Sequence, residues 1–95
     1  MTLALVVEPS AARDVAEAFA YHAQHDRGDA FMAELDHAFG QIAELPLMYP
    51  VVYASVRRAL LRRFAYSVFF LVEAEQAVVL AVHHQRRDPT ARPRR

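Results

Sequence analysis

Hydrophobic positions change their period once along this chain, near residue 56. Before that point, the apolar run Leu3 to Glu8 is β-prone and is ended by Pro9, which predicts a first strand. Ser10 then stands where a helix N-cap is expected, with Asp14 and Glu17 in the early turns favoured by the helix dipole. Val15, Ala18, Phe19 and His22 recur at helical spacing and carry the helix to about Gln24. The stretch His25 to Asp29 predicts a break built around Gly28. A second helix follows, with Asp29 as its expected N-cap. Its stripe is Phe31, Leu35, Ala38, Phe39, Ile42 and Leu45, on one face at spacings of three and four. Pro46 and Pro50 end it and open a segment expected to be irregular through about Ala54. Two helices joined by a short break predict an antiparallel hairpin.

From Val56 onward the period is two. Arg57, Ala59, Leu61 and Arg63 alternate with Arg58, Leu60, Arg62 and Phe64. Tyr66, Val68, Phe70 and Val72 alternate with Ser67, Phe69, Leu71 and Glu73. Val78, Leu80, Val82 and His84 alternate with Ala77, Val79, Ala81 and His83. Three consecutive strands predict an antiparallel meander, its last two strands apolar on both sides and therefore central. The expected order is β-α-α-β-β-β: an α+β domain in which an antiparallel sheet packs against an α-helical hairpin. One domain over residues 1–88 and a basic tail over 89–95 account for the 95 residues.

Charge sharpens this picture. The net charge is zero, yet residues 1–56 hold two arginines against eight acids, a net of −6. Residues 57–95 hold nine arginines against three acids, a net of +6. Part of this cancels inside the fold, where helix acids such as Glu34 or Asp36 meet sheet arginines. The remainder predicts a face for an anionic partner. The candidate binding residues are Arg57, Arg58, Arg62, Arg63 and Arg87, which could hold phosphates or carboxylates through bidentate contacts. Arginine stems also cover apolar surface with solvated heads, so no single one is compelling. The hydrophobic fraction of 55% fits apolar surface covered by a partner, although alanine inflates the count.

Several chemistries are excluded. There are no cysteines, hence no disulfide or thiolate chemistry, which suits an intracellular compartment. The stretch MTLALVVEPSAARD lacks the features of a secretory signal, and no apolar run approaches the roughly 18 residues of a membrane span. The only glycines, Gly28 and Gly40, cannot form a dinucleotide fingerprint or a P-loop, so no cofactor is expected. His22 and His25 lie three apart on the first helix, but no further ligands accompany them. They read as a helix-end pair in solvent or against the partner helix, and no metal is expected. His37 lies off the apolar stripe and is expected to be exposed. His83 and His84, adjacent on a strand, point to opposite faces, so only one can join a given site. Beside arginine such a histidine is biased toward its neutral form, suitable as a base.

The motif R-R-F-x-Y-x-V-F-F at Arg62–Phe70, the strand Val78–Val82 and H-H-x-R-R-D-P at His83–Pro89 together resemble the RelE/ParE superfamily. These are the toxin halves of bacterial type II toxin–antitoxin pairs. P-x-A-x-x-D at Pro9–Asp14 and I-A-E-L-P at Ile42–Pro46 extend the resemblance over nearly the whole chain. It implies a cytoplasmic toxin, toxic or not by itself, held in a hetero-oligomer with a cognate antitoxin. DNA is contacted only indirectly, through that antitoxin. RelE-like members cleave mRNA on the ribosome, whereas ParE-like members inhibit DNA gyrase. A nuclease would be metal-independent, with His83, His84 and Arg86 as candidate catalytic groups beside Arg62 or Arg63. The chain has no lysine, no aromatic residue after Pro89, and Ala65 where the family commonly has proline. The incomplete nuclease set favours a ParE-like protein-binding toxin over a RelE-like endoribonuclease. A non-toxic antitoxin-binding module is the third alternative.

Overall fold

The computed structural model describes residues 2–86. Its elements are β1 (Ala4–Val7), α1 (Pro9–Ala23), α2 (Gly28–Glu44), a 3-10 turn (Pro46–Met48), β2 (Val51–Tyr53), β3 (Val56–Leu60), β4 (Tyr66–Glu73) and β5 (Gln76–His84). The strands form one sheet in the order β1-β5-β4-β3-β2. Strands β2 to β5 are an antiparallel meander, and β1 joins β5 in parallel. The architecture is the expected α+β one. Phe31, Leu35, Ala38 and Ile42 of α2, with Ala11 and Ala18 of α1, pack on Ala59, Val68, Phe70, Ala77, Val79 and Val82 of the sheet. A smaller cluster of Val56, Val78 and Leu80, flanked by Tyr53, Phe69 and Leu71, holds the other face.

Local details depart from the sequence reading for identifiable reasons. The segment after Pro50, expected to be irregular, pairs with β3 as the short edge strand β2. The strand expected to continue to Phe64 stops at Leu60. There, Leu61 and Phe64 both turn into the core, and the Leu61 N–H donates to Tyr66 O (3.0 Å), closing the turn. Neither expected N-cap acts as one. Glu8 precedes α1 with Pro9 in its first turn, and α2 begins at Gly28 after Arg27. Ser10 Oγ instead donates to Leu80 O across 3.1 Å. The break between helices turns at Asp26, which takes the left-handed φ of 57°. Gly28 is required for another reason: a Cβ there would lie 2.9 Å from Phe19 Cε1, so its smallness lets α2 start against α1.

Strand β5 carries the most consequential irregularity. Val79 pairs with Phe70 and Ala81 with Phe69, leaving Leu80 as the extra residue of a β-bulge. A bulge switches the alternation. Ala77 and Val79 face the helices before it, and Val82 does after it. His84, paired opposite Tyr66, therefore lies on the helix side, whereas unbroken alternation would have placed His83 there.

The β4–β5 turn has two residues, and its first, Ala74, holds φ 55°. A residue with a Cβ in this region is strained by about 1–2 kcal/mol. Ala74→Gly should stabilise the fold by up to about 1 kcal/mol after the added flexibility of the unfolded chain is counted. Conversely, Asp14→Ala should destabilise it by about 1–3 kcal/mol, because the buried Val82 N–H loses its acceptor, Asp14 Oδ2 at 2.9 Å. Both shifts are readable as urea midpoints.

Candidate functional site at the end of the sheet

Three segments meet at one end of the sheet: the α1–α2 turn, the β3–β4 loop and the end of β5. The loop is fixed by one carboxylate. Glu34 of α2 accepts the backbone N–H of Arg63 at 3.1 Å from both its oxygens and that of Phe64 at 3.4 Å, and sits 3.6 Å from Arg63 Nε. With its backbone so held, Phe64 inserts into an aromatic nest. Its ring is 4.9 Å from His22 and 5.3 Å from Phe31, while the Arg27 guanidinium lies 4.5 Å above its centre. His22 stacks on Phe31 at 5.1 Å and meets Tyr66 edge-on at 5.6 Å.

An open cavity of about 290 Å³ lies over this nest. Arg27, His25 and Tyr21 reach it from the helix turn, Arg63 and Tyr66 from the loop side, and His84 from β5. Among the described residues no carboxylate lines it. A neighbouring cleft of about 210 Å³ between α1 and β5 shares Tyr21, Tyr66 and His84 but adds His83, Asp14 and Glu17, so the two hollows differ in charge and both histidines border this one, against the expectation that only one could join a given site.

The residues singled out from sequence are divided rather than gathered. Arg63 and His84 line the cavity together. Arg62 is exposed in the same loop. Arg57 faces the helix side and donates to Tyr49 O at 2.6 Å, a structural tether. Arg58, opposite Phe69, is exposed on the other face. His83 lies 5.6 Å from the Phe69 ring, with Nε2 3.7 Å from Asp14 Oδ2. His84 Nδ1 accepts the Arg86 N–H at 3.0 Å, so the proton of its neutral ring sits on Nε2. The Arg86 side chain is exposed, and Arg87 and the tail 89–95 lie outside the described residues. His22, His25 and Arg27 were not expected at this end. Nothing local marks them, and they arrive because the helix turn is folded over the β3–β4 loop. Among the described residues no group of three or more histidines or carboxylates could hold a metal ion, and no helix is long and apolar enough to cross a membrane.

A helical hairpin on one face of a five-stranded sheet, with cationic side chains gathered at one end, defines a small α+β domain. The family model described as the ParE toxin of type II toxin–antitoxin systems (parDE) matches residues 5–89, and the chain belongs to that family. Among solved structures, the chromosomal ParDE toxin–antitoxin system of P. aeruginosa is similar in fold. The TM-score is 0.76 at 15% identity, over 87% of this chain and 96% of that one. No curated protein matches.

His22 is 9% exposed, and its Nε2 has no hydrogen-bond partner among the described residues. Burial lowers its pKa, and the nearby Arg27, His25 and His84 lower it further. The folded state thus favours the neutral ring, while an unfolded histidine takes up a proton near pH 6.5. Stability from this group is complete above pH 6.5 and is lost as pH falls below it. Urea midpoints at pH 7.5 and 5.5 should therefore differ more for the natural chain than for His22→Leu.

Proposed function

We propose that this chain is a growth-inhibiting toxin that acts by binding a protein target such as DNA gyrase and is neutralised by a cognate antitoxin. The observation that carries this reading is the ParE family match across residues 5–89. The separation of His83 from the cationic cavity that Arg63 and His84 line supports it. His83 and His84 occupy opposite sides of β5, and His83 is held beside Asp14. A cleavage centre needs its base and its cations around one phosphate. Purified toxin should inhibit gyrase supercoiling and leave mRNA on translating ribosomes intact. The reverse result would establish the RelE-like endoribonuclease, in which His83→Ala, His84→Ala and Arg86→Ala should each slow cleavage.

For the antitoxin, the edge strand β2 is the best-suited surface. It ends the sheet, its Val51 and Val52 are exposed, and so are Leu47 (71% exposed) and Met48 just before it. An open strand edge accepts an added strand through its main chain, and flanking apolar side chains supply affinity. Acidic antitoxin residues would meet the exposed Arg58 and Arg62. Leu47→Asp and Val52→Asp, both at exposed positions, should each weaken antitoxin binding tenfold or more by calorimetry. Full affinity in both variants would place the antitoxin elsewhere.

A further inference from the structure

We infer that the cavity over the aromatic nest is a binding site for a nucleoside monophosphate, free or at the end of a strand. The inference does not use the target of the toxin. It rests on three features of the cavity.

The first is charge. Arg27 and Arg63 line the cavity, His25 and His84 add imidazoles, and among the described residues no carboxylate faces it. Glu34, the acid nearest Arg63, is occupied by two backbone N–H groups, and the Arg63 side chain stays 75% exposed. The His84 ring has its Nδ1 taken by the Arg86 N–H and so offers Nε2–H. Guanidinium and imidazole donors from three separate segments suit a group with several acceptor oxygens, as phosphate has.

The second feature is the walls. Tyr21, Tyr66, Phe64 and His22 line the cavity with aromatic rings, and Tyr21, 58% exposed, has ring surface open to stack on a nucleobase without regard to sequence. His22 adds a buried ring nitrogen, Nε2, that no described residue pairs. At about 290 Å³ the cavity stands at the small end of ligand pockets, with room for one nucleotide.

The third feature separates a nucleotide from a peptide. Four main-chain N–H groups around the cavity are already paired. Gln85 N–H donates to Ala65 O (2.7 Å), Tyr66 N–H to Phe64 O (2.7 Å), and the Arg63 and Phe64 N–H groups to Glu34. A peptide would find little backbone to bind, whereas a ligand read by side chains finds a full set.

Titration of the purified full chain by NMR tests this. Adenosine monophosphate should shift the ring signals of Tyr21, Tyr66 and His84 saturably, at least tenfold more tightly than inorganic phosphate or adenosine. Arg63→Gln and Tyr21→Ala, both at exposed side chains, should weaken it fivefold or more, and Arg58→Gln on the opposite face should not. A 5′-phosphorylated tetranucleotide that binds more tightly than the mononucleotide identifies a strand end as the source, and equal binding identifies the free nucleotide. Both outcomes support the site. Phosphate binding as tightly as the nucleotide overturns the proposal. So does an acidic aromatic peptide that binds where the nucleotide does not, or indifference to both cavity variants.

Discussion

The fold depends on closing the outer edge of β5. This strand is the most buried of the sheet, yet its parallel neighbour β1 reaches only to Val79. Beyond that residue a bare edge would leave polar backbone groups buried, at a cost of about 1–3 kcal/mol each. Helix α1 takes over where β1 stops. The Glu8 N–H donates to Val79 O at 3.0 Å, Ser10 Oγ to Leu80 O at 3.1 Å, and Asp14 Oδ2 accepts the Val82 N–H at 2.9 Å. One helix thus continues a strand with its side chains. This fixes the direction in which α1 leaves the sheet, and with it where the α1–α2 turn lands.

That landing point makes the site. The turn brings Tyr21, His22, His25 and Arg27 above the β3–β4 loop, and Glu34 from the second helix of the hairpin holds that loop by its backbone. The bulge at Leu80 is the complementary device on the sheet. It rotates the last residues of β5 so that His84 turns toward the helices and His83 toward the edge and Asp14. Of two histidines adjacent in sequence, only His84 thereby reaches the cationic aromatic hollow, while His83 is held beside Asp14.

Much of this was legible in the chain. The stripe from Phe31 to Ile42, the alternation in β4 and the two-sided apolar character of β5 yield the hairpin and the central strands, because burial follows period directly. The resemblance in Arg62–Phe70 and His83–Pro89 leads to the toxin family. Long-range polar pairing was hidden. Ser10 and Asp14 look like helix-start residues because the same side chains that cap helices also satisfy strand edges, and only the tertiary fold decides which. The bulge was hidden too, since V-V-L-A-V offers apolar residues to either face at every position. The site suffered most. Arg57 to Arg63 read as one cluster, but a strand sends neighbours to opposite faces and the strand ends at Leu60. Arg57 becomes a tether to Tyr49, and its place is taken by Arg27, far from the other arginines in sequence and brought to them over the Phe64 ring.

The charge split along the sequence is resolved at particular points rather than across a broad interface. Glu34 takes Arg63 and its loop, and Asp14 takes His83 and the β5 edge. Each acid spends most of its hydrogen bonding on backbone, so the cations it meets are positioned more than neutralised. The result is a domain with two unlike surfaces. At β2 the main chain is open and the side chains are apolar, which suits another polypeptide. At the cavity beside the α1–α2 turn, the N–H groups of Arg63, Phe64, Tyr66 and Gln85 are taken and the side chains are cationic and aromatic, which suits a small anion with a ring. Because the two surfaces offer different chemical groups, a protein partner at the first need not compete with a ligand at the second.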